Sequence, residues 1–208
     1  MVESRRKEFT MFTPNDTIAY YNLNAQKFIS DTTCVDFETI QKKFADKLPV
    51  AASILDFGCG SGRDTKYFLA QGFQVEAVDG SLELCKLASK YAGINVQNML
   101  FQELSAIETY DGIWACSSIL HLPYHELTDV MRKMAAALTK KGIIYTSFKY
   151  GTFEGERNGR YFIDMTEEIF ADFLAKIKDL TIEEQWITFD VRPNRGDKRW
   201  LNLILRKL

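Results

Sequence analysis

"ILDFGCGSGRDT", residues Ile54–Thr65, places three glycines, Gly58, Gly60 and Gly62, directly after a short apolar run. A backbone that bare turns sharply and lets a ligand approach the main chain closely. In parallel α/β sheets the ligand crevice lies outside the carboxyl ends of the strands, which is where this turn falls. The residues around it narrow the ligand. A dinucleotide site asks for G-x-G-x-x-G, and the third position counted from Gly58 is Arg63, a long charged side chain where close packing wants glycine. A phosphate-binding loop asks for G-x-x-x-x-G-K-[ST], and that Lys-Ser/Thr pair is missing. The turn therefore faces a small cofactor of another kind.

Outward from the turn, strands and helices alternate. "SILDF" reads as a buried strand and "RDTKYFLAQ" as a helix ended by Gly72. "FQVEAVD" is a strand, and "SLELCKLASKYA" a helix with Ser81 at its N-cap. "NVQNML" and "YDGIWACSS" are strands; "YHELTDVMRKMAAALTK" is a helix, followed after Gly142 by the strand "IIYTSF". Such alternation is the mark of a parallel sheet with helices on both faces. The last third departs from it. Residues 149–165 read as a long polar loop, and Asp164 with Glu167 as a capping-box start to "EEIFADFLAKIK". "TIEEQWITFDV" and "KRWLNLILRKL" flank the turn "RPNRGD" as two strands of a terminal hairpin. Upstream, residues to about Phe12 read as a loose polar start. Helical spacing then runs over 16–30 and again over 36–48, before Pro49.

Composition bounds the class. The chain has 208 residues, 46% hydrophobic and 26% charged, with a formal net charge of -2. That suits one soluble domain and offers no basic field for nucleic acid or a membrane surface. The cysteines Cys34, Cys59, Cys85 and Cys116 form no CxxC pair, so no metal site is expected; scattered thiols suit the cytoplasm. No signal peptide and no apolar stretch of bilayer length is present.

"LDFGCGSGRD" resembles the D-x-G-C-G-x-G motif of the class I S-adenosylmethionine (SAM)-dependent methyltransferases. The likeness continues in register: "VEAVDGS" resembles the second motif of that family, "LHLP" a common ending after its fourth strand, and "LTKKGIIYTSF" the entry to its fifth. The resemblance covers the chain from about Asp16 to the terminal hairpin. The opening "YYNLNAQKF" also resembles the bacterial tellurite-resistance-type methyltransferases. The resemblance implies an α/β fold: a Rossmann-like, mostly parallel seven-stranded sheet with helices on both faces and a C-terminal antiparallel hairpin. A single domain would place residues 1–50 as a helical cap on a core of 51–208.

SAM, leaving as S-adenosylhomocysteine (SAH), is the cofactor that this resemblance implies. Gly58, Cys59 and Gly60 would lie against it, with Asp79 on the ribose hydroxyls beside Gly80 and Ser81. Leu100 stands where the family often has Asp, so the adenine would rest on Met99, Leu100 and the backbone N–H of Phe101. Ala115 and Cys116 end the fourth strand near the reacting methyl. Asp56 either stands near the amino-acid end of SAM or holds the glycine loop. Tyr20 or Tyr21 meets the SAM carboxylate or packs the helix, and Arg63 pairs with that carboxylate or is solvated. A direct displacement needs no covalent nucleophile, which leaves Cys116 without that role. His121 is a candidate base or a structural hydrogen bond before Pro123, while His125 is solvated. Lys149, Arg157, Arg160 and Tyr161 in the polar loop, and Arg192, Arg195 and Arg199 beside Trp200, suit a small, polar or anionic acceptor if they converge. The acidic charge argues against an RNA or protein acceptor, and a non-catalytic SAM-binding module remains open. The expected partner is a small molecule, with the protein a monomer or homodimer.

Overall fold

The computed structural model describes residues 14–192 and 196–208, so the loose polar start and Arg195 lie outside the described residues. Helices α1 (Pro14–Thr32) and α2 (Glu38–Ala45) precede the first strand. The chain then runs β1 (Ser53–Phe57), α3 (Arg63–Ala70), β2 (Gln74–Asp79), α4 (Leu82–Ala92), β3 (Gln97–Asn98), β4 (Tyr110–Ala115), α5 (Tyr124–Ala137) and β5 (Leu138–Lys149). A small hairpin follows, β6 (Glu154–Glu156) and β7 (Tyr161–Ile163), then α6 (Glu167–Leu174), β8 (Leu180–Phe189) and β9 (Arg199–Lys207).

The main sheet has seven strands in the order β3-β2-β1-β4-β5-β9-β8. Pairings from β3 to β5 are parallel, and β9 runs antiparallel to both β5 and β8. Strand order reverses direction at β1 and β4, so their carboxyl ends diverge into a crevice. Alternate side chains enter two cores. Ile54, Trp114, Ile143, Tyr145 and Ile204 meet Phe44 of α2 and Phe68 of α3. Their neighbours Leu55, Ile113, Ile144, Leu203 and Leu205 meet residues of α5 and α6 on the other face. This period of two is what a sheet buried on both faces requires. Trp114 anchors the first core, stacked on Tyr145 at 4.1 Å between ring centroids and 5.1 Å from Phe68. Burying a side chain of that size stabilises by roughly 1.5–3 kcal/mol.

Several boundaries shift from the sequence reading. The third strand keeps two residues because the Glu103 carboxylate accepts the Leu100 N–H and starts a short 3-10 turn. The fourth strand stops at Ala115, two residues before Ser117 takes a left-handed φ of 53°. The fifth helix ends at Ala137 and strand pairing begins at Leu138, opposite Tyr110. The polar loop contains the two-stranded β6–β7 hairpin. Helix α6 is capped by Thr166, whose hydroxyl accepts the Ile169 N–H, while Asp164 pairs with Arg157. Ser81 caps α4 as expected, accepting the Leu84 N–H at 3.2 Å.

The outer strands differ from the interior. At one edge β3 is very short. At the other, β8 carries a register shift between Ile182 and Glu184. There Glu183 pairs with Lys47 and Arg206, and Glu184 with Lys43 and Lys47.

Candidate active site

The glycine turn leaves β1 with Gly58 at φ 85°, Gly60 at φ 57° and Gly62 at φ 75°. These left-handed values are rare for residues with a Cβ. At Gly58 there is also no room: a Cβ would sit 2.5 Å from the Ser118 Cβ. Ser118 is held there by its hydroxyl, which donates to the Phe57 carbonyl at 2.6 Å. The turn is fixed from the next strand by Asp79, whose two carboxylate oxygens accept the Gly60 N–H at 2.9 Å and the Ser81 N–H at 2.8 Å. Burial raises the Asp79 carboxyl above its ordinary value, and the two N–H groups oppose that rise.

The turn opens into a cavity at the carboxyl ends of β1, β2, β4 and β5. Of the residues singled out in the sequence, Gly58, Cys59, Gly60, Asp79, Gly80 and Ser81 line one end, with Leu100 and Phe101 beside them. Tyr21, Arg63, Cys116 and His121 stand in the middle, and Lys149, Arg160 and Arg192 at the far end. Asp56, Met99, Ala115, Arg157 and Tyr161 do not line it. Asp56 is turned into the protein, where it accepts the Thr65 hydroxyl at 2.5 Å. It therefore ties β1 to α3 and does not reach a ligand. Arg157 is spent on Asp164 at 2.8 Å, and the Tyr161 hydroxyl donates to Glu154.

Arg63 lines the cavity but is not free. Its guanidinium grips both oxygens of Asp64, at 2.7 and 2.9 Å, and lies 4.5 Å over the Phe37 ring. Asp64 also accepts from Gln41 Nε2 and Trp114 Nε1. The expected partner of Arg63, a ligand carboxylate, is thus supplied by the protein itself.

His121 is the centre of the cover. Its Nδ1 lies 2.6 Å from the Tyr161 carbonyl, which can only accept, so Nδ1 carries the proton. Nε2 then accepts the Tyr21 hydroxyl at 2.8 Å. Burial brings the imidazole down to about 3. Neither nitrogen is left to take a proton from an acceptor, so His121 positions Tyr21 and is not the free base that the sequence suggested. The same bond corrects the reading of Tyr21. Its proton is given to His121, so its oxygen offers lone pairs to the cavity and suits a donor, not a carboxylate. Thr17 completes the clip, accepting the Tyr161 N–H at 3.0 Å, and Phe28 lies against Gly60. Helix α1 and the β6–β7 hairpin together cover the crevice. Cys116 is no nucleophile either, since burial pushes its thiol up to about 12.

Trp200, named in the sequence reading, closes the far end together with three residues that reading did not include: Ser147, Thr188 and Asn202. Register builds it, with Ser147 opposite Asn202 and Thr188 opposite Trp200. Asn202 Nδ2 donates to Thr188 Oγ1 at 3.0 Å, and its Oδ1 accepts from Tyr145. Ser147 lies two residues before Lys149, on the same face of β5, a period-2 signal that could have found it.

Comparisons with known proteins agree with this geometry. A family model described as a methyltransferase domain matches residues 54–142, the stretch that holds the glycine turn, Asp79 and His121. That stretch of the chain matches a methyltransferase domain. An uncharacterised methyltransferase of Staphylococcus carnosus (strain TM300) is 24% identical over 134 residues, which covers 61% of this chain and 65% of that protein. The crystal structure of the Burkholderia thailandensis 1,6-didemethyltoxoflavin-N1-methyltransferase, with 1,6-didemethyltoxoflavin and SAH bound, shares the fold. Its TM-score is 0.74 at 23% identity, over 100% of this chain and 92% of that one. The [4+2]-cyclase SpnF shares it too, with a TM-score of 0.74 at 13% identity, over 95% of this chain and 97% of that one. These matches support the class I family and leave the narrower tellurite-resistance resemblance without support.

SAM is the cofactor that the resemblance to class I methyltransferases implies, and the residues that line the cavity fit it. Gly58 and Gly60 present bare backbone to the cavity. Asp79 has lone pairs left on its oxygens that would accept ribose hydroxyls, and Leu100 and Phe101 would give apolar surface to an adenine.

The state of His121 has a consequence for stability. In the unfolded chain the imidazole titrates near 6.5, and in the fold near 3. Between these values only the unfolded chain binds the proton, so stability is lost on acidification at about 1.4 kcal/mol per pH unit. Asp56 carries the opposite slope. Burial, then the Asp64 charge, holds its carboxyl above the ordinary range, so its contribution falls as pH rises beyond about 4. His121→Gln removes the first slope and leaves the second. From pH 6.5 to about pH 5, urea unfolding should show the variant gaining about 2 kcal/mol relative to the wild type. A difference that does not change with pH would contradict the neutral buried imidazole.

Proposed function

We propose that this chain transfers the methyl group of SAM to a small, polar or anionic acceptor. One observation carries the reading: a single cavity joins the glycine–Asp79 end, suited to the cofactor, to a far end lined by Lys149, Arg160, Ser147 and Asn202. When bound, SAM supplies a methyl group on a sulfonium, already activated toward a lone pair. The chain's own residues then have to hold, orient and exclude water. Gly58, Gly60, Asp79, Leu100 and Phe101 would hold the cofactor. Tyr21, Phe28 and the β6–β7 hairpin keep water from the cavity, with Tyr21 fixed by His121. The far end would orient the acceptor. No helix of the described residues is long and apolar enough to cross a membrane.

A second reading is SAM binding without methyl transfer, since the same fold also occurs in a [4+2]-cyclase. Calorimetry with SAM, SAH and NADH, followed by SAH release against a library of small acids, alcohols and amines, separates the two. Micromolar binding of both adenosyl compounds with acceptor-dependent SAH release is expected. Binding without release for any acceptor would favour the second reading, and NADH binding alone would overturn both.

A further inference from the structure

Charge is unevenly settled in and around the cavity. Arg63 has Asp64, Arg157 has Asp164 and Arg192 has Asp190, each pair within 2.8 Å. Lys149 and Arg160 have no carboxylate within ion-pair distance among the described residues. Arg160 makes one long hydrogen bond, from Nη1 to the Tyr21 oxygen at 3.4 Å, and its Nε is buried with no partner. Its guanidinium lies 4.4 Å over the Tyr20 ring. Lys149 Nζ lies 4.0 Å and the Arg160 guanidinium 5.2 Å from the same Phe162 ring, so both cations border one patch of cavity wall. Two cations facing a cavity, held by aromatic rings and not by acids, form a seat for a negative charge.

We infer that Lys149 and Arg160 form an anion seat for the methyl acceptor, so that the acceptor carries an ionised acidic group. This rests on the reading of the cavity as a methyltransferase site. The bases nearby agree with it. His121 is engaged at both nitrogens, Cys116 keeps its proton and Asp190 is held by Arg192. An acceptor that arrives ionised asks less of them. The seat is also pH-sensitive. Burial, then Arg157, brings the Lys149 ammonium down to about 8, with Arg160 and Arg192 acting the same way and Asp164 against them. An anion would therefore bind more weakly as pH rises through about 8.

The test uses benzoate and inorganic phosphate as probes, with benzamide as the neutral control. Wild type, Lys149→Gln, Arg160→Gln and the double variant are titrated by calorimetry, each with and without saturating SAH. SAH affinity in each variant reports that the fold is intact. Benzoate or phosphate should bind the SAH-loaded wild type. Each substitution should weaken that binding about tenfold, and the double variant and benzamide should show none. Binding that SAH displaces would overturn the proposal, since the pair would then hold the cofactor's own carboxylate. Binding indifferent to both substitutions, or no anion binding by SAH-loaded protein, would also overturn it. If SAH itself fails to bind, the cofactor reading has failed, and the SAH-free titration judges the anion seat separately.

Discussion

Asp79→Ala is expected to weaken SAH binding by about 100-fold or more. The carboxylate has two roles. It holds the Gly60 and Ser81 N–H groups, and its free lone pairs face the cavity that the cofactor would fill. A hydrogen bond to a charged group contributes about 1.5–3 kcal/mol, so losing two from the ligand costs about 3–6 kcal/mol. That range lies beyond a hundredfold in affinity. The variant also strands two buried N–H groups, which loosens the glycine turn. Asp79→Asn keeps the shape but offers one oxygen where there were two, and should fall between the wild type and the alanine variant. Calorimetric titration with SAH reads both. A folded Asp79→Ala protein that binds SAH within about threefold of the wild type would remove Asp79 from the cofactor site.

Gly58→Ala should destabilise the fold by about 2–5 kcal/mol in urea unfolding. Two costs add there. A left-handed backbone with a Cβ costs about 1–2 kcal/mol, and forcing a methyl into packed space costs about 1–3 kcal/mol. The second cost is real because the methyl would meet the Ser118 Cβ at 2.5 Å, and Ser118 is tied to the Phe57 carbonyl. Gly72 supplies the control. It has the same φ of 85°, yet nothing lies within 4 Å of a Cβ built on it. Gly72→Ala should therefore show the first cost alone. Equal losses at the two positions would mean that the turn yields at Ser118.

These two positions also show what a reader of the sequence could see. Gly58 and Asp79 follow directly from strand ends and turn chemistry, which are local, and so does the Ser81 cap. The β6–β7 hairpin was hidden because its strands are three residues each, too short to show a period, and β6 is polar. Its place is set by contacts far along the chain: Tyr161 is bound at its N–H by Thr17 and at its carbonyl by His121. The same distance in sequence hid the state of His121. Its neutrality comes from burial under α1 and β7, and no motif around "LHLP" records that. Arg63 was misjudged for a related reason, since its ion pair with Asp64 depends on Trp114 and Gln41 holding that carboxylate in place. Lys149 and Arg160 were visible as residues, but only the absence of carboxylates beside them among the described residues, against the paired Arg157 and Arg192, separates them from their neighbours.

The outer strands of the sheet bear on how the protein behaves in company. An exposed strand edge is a template on which a second chain can add a strand. Here β3 is too short to serve, and the first half of β8 is kinked and laced with Lys–Glu and Arg–Glu pairs. Beyond the kink the guard is thinner, with Ile187 and Phe189 exposed. The sheet is thus closed to growth along one edge and along half of the other, and any tendency to aggregate is concentrated at the end of β8 that borders the cavity mouth.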